Sequence, residues 1–112
     1  MIKEPQYLYL TTTGWKTGNP HRIEIWFVQH LDCYYLVSEG KEAAHWVQNI
    51  QRDPAIKFTV GTTSFEGKGR LIDPAVDVAL TAAVSALMDA KYAWSNGLIV
   101  ELKPEPLPDT ES

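Results

Sequence analysis

The chain has 112 residues, 45% of them hydrophobic, and a formal net charge of −4 from 14 acidic and 10 basic side chains. That length reads as a single domain over 1–112, with enough apolar residues for one core but not for a large enclosed active site as well. No basic stripe lies outside one loop and no apolar run reaches about 18 residues, which argues against extended nucleic-acid binding and a membrane span and makes the cytoplasm the default compartment.

After a lead-in over residues 1–6, Tyr7–Thr13 is rich in aromatic and β-branched residues and predicts a first strand. Residues 14–20, Gly-Trp-Lys-Thr-Gly-Asn-Pro, form a polar turn in which two glycines let backbone approach a ligand closely. Lys16 and Arg22 bracket this turn, and Thr11, Thr12, Thr13 and Thr17 add hydroxyls. Two cations, several hydroxyls and backbone N–H groups suit a phosphate; the other reading is a solvated hairpin loop. His21–His30 predicts a second strand. Its alternation sends Ile23, Ile25 and Phe27 to the core, and Arg22, Glu24 and Trp26 to a face that meets a ligand or a partner.

Cys33–Ser38 is a third strand, and Cys33, the one cysteine, reads as a small apolar strand residue rather than a nucleophile. Lys41–Arg52 has helical spacing and stops before Pro54. Ala55–Val60 and Ser64–Ile72 are the fourth and fifth strands, the latter with Gly67 and Gly69 marking a bend or a close approach. Asp73-Pro74 reads as the start of a helix to Tyr92, with Val76, Leu80, Ala83, Val84, Leu87 and Met88 as its apolar stripe. Leu98–Leu102 is a sixth strand, and residues 103–112 read as a frayed tail. Six antiparallel strands with a glycine-bent member predict a small barrel with flanking helices, a mainly β arrangement of the α+β kind.

His21, His30 and His45 are scattered without ligand spacing, so no metal site is expected. No Walker loop, GxGxxG or serine elbow is present, so an enzyme of this sequence would rely on a cofactor.

Taken together, the segments LTTTGWKTGNPHRIEIWF, YYLVSEG, AAHWVQNIQRDPAIKFTVG and FEGKGRLI resemble the deazaflavin-dependent nitroreductase and quinone-reductase group. This group lies within the FMN-binding split-barrel superfamily, which also holds pyridoxamine-phosphate-oxidase-like proteins. The resemblance covers about residues 7–72. It implies a six-stranded antiparallel split β-barrel and a flavin-like cofactor, F420 in preference to FMN. It further implies that Thr12, Thr13, Lys16, Thr17 and Arg22 grip the cofactor's phosphate and that Ser38, Glu39 and Gly40 lie along its ring system. Relatives often carry Lys-Gly-Gly after the serine, where this chain has Glu39-Gly40-Lys41. Several relatives also carry an extra helix ahead of the first strand, so the substrate-side lid is expected to be reduced, or supplied by the C-terminal part or a partner chain. Trp26, Tyr92 and Trp94 are the candidates to line it.

The leading expectation is an oxidoreductase that passes a hydride from the reduced cofactor to a quinone, nitro compound or activated alkene. Alternatives are a non-catalytic carrier of a flavin-like or other phosphorylated ligand, or a degenerate barrel kept for dimerisation. A homodimer is favoured over a monomer. The catalytic residues are not identified.

Overall fold

The computed structural model describes residues 6–105. These form β1 (Tyr7–Thr13), β2 (Pro20–Trp26), β3 (Val28–His30), β4 (Cys33–Ser38), α1 (His45–Arg52), β5 (Ala55–Val60), β6 (Thr63–Leu71), α2 (Val78–Tyr92) and β7 (Leu98–Pro104). A 3-10 turn over Lys41–Ala43 precedes α1. All seven strands join one antiparallel sheet in the order β2-β1-β5-β6-β7-β4-β3.

Strand alternation separates two cores. On the inner face Leu8, Leu10, Leu36, Phe58, Val100 and Leu102 pack with Val47 and Ile50 of α1. Gly69 makes room for that helix, because a Cβ there would sit 3.0 Å from Ile50. On the outer face α2 lays Val84 and Met88 against Val28, Tyr35, Val37 and Ile99. It covers only the β7-β4-β3 side. Across β2 and β1 the outer face stays open, with Tyr7, Tyr9 and Trp26 exposed.

A charged row runs across the outer face of three neighbouring strands where α2 begins. Arg70 on β6 and Tyr35 on β4 both bond the carboxylate of Glu101 on β7, at 3.2 and 2.8 Å, and Arg70 also reaches Asp77 at 3.4 Å. Burial pulls the Glu101 carboxyl upward, but the hydrogen bonds from Arg70 and Tyr35 outweigh it, and the group titrates below its ordinary value. The Tyr35 hydroxyl is pushed up by burial and by the same carboxylate.

Several expected elements are corrected. The second predicted strand is two strands, so the sheet has seven. The break falls at Phe27, whose N–H donates to the Tyr92 hydroxyl at 3.0 Å and whose carbonyl accepts from Lys91 Nζ at 3.0 Å. Backbone groups taken by α2 are not available to a ladder. The second helix begins at Val78 rather than Pro74, because the Asp73 carboxylate accepts the Ala75 N–H at 2.9 Å and holds a turn instead. Val76, expected on the apolar stripe, is therefore exposed. Lys103 and Pro104, expected in the tail, belong to β7. The rest of the predicted tail beyond residue 105 lies outside the described residues.

β2 and β3 are consecutive in the chain yet occupy opposite ends of the sheet. The sheet curls until β2 comes against β4 without pairing to it.

Candidate functional site

Two adjoining hollows lie along β2 where it meets α1 and the end of β4. The first, about 520 Å³, is lined by Gly14, Lys16, Thr17, His21, Ile23 and Asn49, among others. The second, about 580 Å³, is lined by Ile25, Trp26, Ser38, Glu39, Gly40 and Trp94, among others. Trp46 lines both, and Ile23 and Ile25 continue from one to the other on the same face of β2. Ile23 and Ile25 pack against the inner core as expected, but they are half-buried and also line the groove.

The loop at one end is fixed by its own backbone and by α1. Gly14 N–H bonds the Asn19 carbonyl and Gly18 N–H bonds the Gly14 carbonyl, each at 2.7 Å. The side chain of Asn49, only 5% exposed, joins the loop to β1. Its Oδ1 accepts the Trp15 N–H at 3.1 Å and its Nδ2 donates to Thr12 Oγ1 at 3.0 Å. The Trp15 ring lies under two cations, with Lys16 Nζ 4.9 Å and the Arg52 guanidinium 5.0 Å from its centroid.

At the other end the chain turns sharply out of β4. Ser38 Oγ donates to the Lys41 carbonyl at 3.1 Å, and Lys41 takes a left-handed φ of 52°. Gly97 packs directly against the Ser38 carbonyl, where any Cβ would collide with it. The aromatic wall is equally fixed. Trp26 stacks on Tyr92 at 4.4 Å and 3° between planes, and meets Trp94 edge-on at 6.3 Å.

The expected site residues divide three ways. Lys16 and Thr17 line one hollow, while Ser38, Glu39, Gly40, Trp26 and Trp94 line the other. Thr12 is 2% exposed and its hydroxyl is held by Asn49, so it supports the loop rather than facing the groove. Tyr92 does not line the hollow but backs Trp26, its hydroxyl held by Phe27 and the Gln6 carbonyl. Thr13 and Arg22 fall on the outer face of the sheet. Thr13 lines a separate recess with Lys57 and Glu66, and Arg22 lies 4.4 Å over the Tyr9 ring. Alternation is the reason: Arg22 pairs with Thr11, whereas the groove is reached from His21 and Ile23. Asn49 and Arg52 are the residues that sequence reasoning undervalued. A lone Asn beside Val47 and Ile50 on the buried side of a helix was the available signal.

The groove suits a ligand that is anionic at one end and planar at the other. Its first end offers an ammonium, a hydroxyl and two imidazoles, from Lys16, Thr17, His21 and His45. Its second end offers three indole rings and an exposed glycine backbone. A phosphorylated deazaflavin has that division of chemistry, and these residues fit it.

Residues 1–95 match the family model described as F420H(2)-dependent quinone reductase. No curated protein matches the chain. Among solved structures, the heme storage protein HutZ from Vibrio cholerae is similar at a TM-score of 0.75 and 18% identity, over 92% of this chain and 84% of that one. A FAD-binding protein from Mesorhizobium loti is similar at 0.69 and 11% identity, over 90% and 82%. General Stress Protein 26 from Bacillus anthracis is similar at 0.67 and 13%, over 89% and 80%. At such identities the structural likeness establishes the split-barrel fold.

Proposed function

Because this chain belongs to the F420H2-dependent quinone reductase family and is therefore a deazaflavin-dependent oxidoreductase, we propose that the groove along β2 seats F420 and an electrophilic acceptor. Lys16 and Thr17 hold the phosphate, with Arg52 adding positive charge through the shared Trp15 ring. Asn49 and Thr12 keep that loop in place. The backbone of Ser38, Glu39 and Gly40 supports the ring system, and Trp26 and Trp94 cover the acceptor and exclude water. The cofactor supplies the hydride, and the acceptor is a quinone or a comparable electron-poor ring or alkene. The observation that carries this reading is the continuity of the groove from Lys16 to the Ser38–Gly40 turn across Trp46.

The test is a fluorescence titration with F420 and, separately, with FMN. Saturable micromolar binding of F420 is expected. Lys16→Ala should weaken it by roughly ten- to a hundredfold, the cost of about 1.5–3 kcal/mol for a charge-assisted contact. Arg22→Ala should leave it unchanged. Binding of neither cofactor overturns the proposal, and preference for FMN overturns the choice of F420.

We also propose that the chain pairs as a homodimer through the open outer face. Tyr9 is exposed there, away from the groove, beside charges of both signs, Arg22 and Lys57 with Glu66. Sedimentation equilibrium should give twice the chain mass, and Tyr9→Glu should return the monomer.

A further inference from the structure

The second hollow has an uneven charge. Its walls are the rings of Tyr7, Trp26, Trp46 and Trp94, and its only ionisable side chains besides Tyr7 are two carboxylates, Glu24 and Glu39. No Lys, Arg or His lines it among the described residues. The nearby ammonium of Lys91 is held on the Phe27 carbonyl at 3.0 Å, and Lys16 belongs to the first hollow, beyond Trp46. Aromatic faces present negative potential, and a carboxylate adds to it. Trp26 cannot easily turn away, because it is stacked on Tyr92 and met edge-on by Trp94.

We infer that the part of this hollow left for the acceptor beside the cofactor ring, between Trp26, Trp94 and the two carboxylates, selects a planar organic cation over a neutral or anionic acceptor of the same shape. The consequence for turnover rests on the function proposed above. A neutral quinone that takes up a hydride becomes an anion, which two carboxylates disfavour and which needs a proton. A cationic ring that takes up a hydride becomes neutral and needs none. In that step one new bond to hydrogen forms on the acceptor ring and the bond that held the hydride in the reduced deazaflavin breaks. Two electrons pass to the acceptor, and a proton passes to solvent as the cofactor is oxidised. The hollow is therefore matched to acceptors of the N-alkylated azaarene class.

The test uses the protein saturated with oxidised F420, with the cofactor-free protein beside it, and one ring frame in three charge states: N-methylphenazinium, phenazine and phenazine-1-carboxylate. Binding is read by equilibrium dialysis at low salt. The cation should bind about tenfold tighter than phenazine, the size expected for a partly exposed cation–aromatic contact plus two screened charges, and the carboxylate should bind least. Glu24→Gln with Glu39→Gln should remove about three- to tenfold of the cation's affinity and change that of phenazine by much less. Salt at about 0.5 M should shrink the same difference. Equal affinities for cation and neutral ring, or a preference that the double substitution leaves undiminished, overturn the inference. The two readings separate cleanly. F420 binding without charge preference defeats the inference alone, and charge preference without F420 binding defeats the proposed function alone.

Discussion

Asn49→Ala should cost more stability than its position on a short helix suggests. The amide makes two hydrogen bonds, one to the Trp15 N–H and one to Thr12 Oγ1, and sits almost wholly out of water. Each bond contributes about 1 kcal/mol net, and the Thr12 hydroxyl, 2% exposed, would be left unpaired at about 1–3 kcal/mol. Trp15 is 40% exposed, so its N–H can find water and adds little to the penalty. The sum is about 3–5 kcal/mol, or roughly 12–20 °C in melting temperature at about 4 °C per kcal/mol. Thr12→Val removes the same hydroxyl while keeping the volume, and it should cost less than Asn49→Ala. In the double variant no hydroxyl is stranded, so the two losses should fall short of additivity by about 1 kcal/mol or more. Urea denaturation of the four proteins at a common m-value measures this. Additive losses, or an Asn49→Ala protein within about 0.5 kcal/mol of wild type, would refute the claim that this amide fastens the loop.

Gly97→Ala should destabilise the protein by about 1–3 kcal/mol, since its Cβ meets the Ser38 carbonyl and the backbone must shift. It should weaken F420 binding in the same titration, and unchanged melting and binding would count against the packing described. Tyr92→Phe keeps the stack on Trp26 but strands the Phe27 N–H, so a loss of about 1–2 kcal/mol in urea is expected with the near-ultraviolet circular dichroism of the tryptophans retained. The depressed Glu101 carboxyl contributes stability that is fully present above its unfolded value, near 4.5, and lost as pH falls through the lower folded value. Unfolding free energies between about pH 3 and pH 6 should therefore drop on the acid side, and Glu101→Gln should flatten that drop; parallel curves for the two proteins would contradict it.

Local pattern predicted most of this fold, and its failures have a common cause. β1, β4 and β5 stand at the expected residues because their alternation and turn residues are local. The break at Phe27 depends on Tyr92 and Lys91, more than sixty residues away, and no periodicity carries that. Arg22 is a different case. Its nearness to the loop in sequence suggested a shared phosphate, yet the same alternation that put Ile23 inward put Arg22 outward. Residues 14–17 were expected at a site from their composition, and residues 38–40 from the family resemblance. That they border one groove depends on the curl of the sheet, which follows from packing rather than from either segment.

The unpaired meeting of β2 and β4 has a consequence for how ligand and barrel depend on each other. A sheet that zipped shut there would have used its last edge groups on itself and left no slot. Here the slot is the seam, with Ile25 and Trp26 on one lip and Val37 to Gly40 on the other. A molecule lying in it touches both lips and acts as a removable stave. Filling the seam should slow amide exchange in β2 and β4 together while leaving β5 and β6, deep in the ladder, unaffected. With the ligand seated as proposed, the barrel would be completed by what it binds, and loss of the ligand would be felt first as a loosening of its own wall.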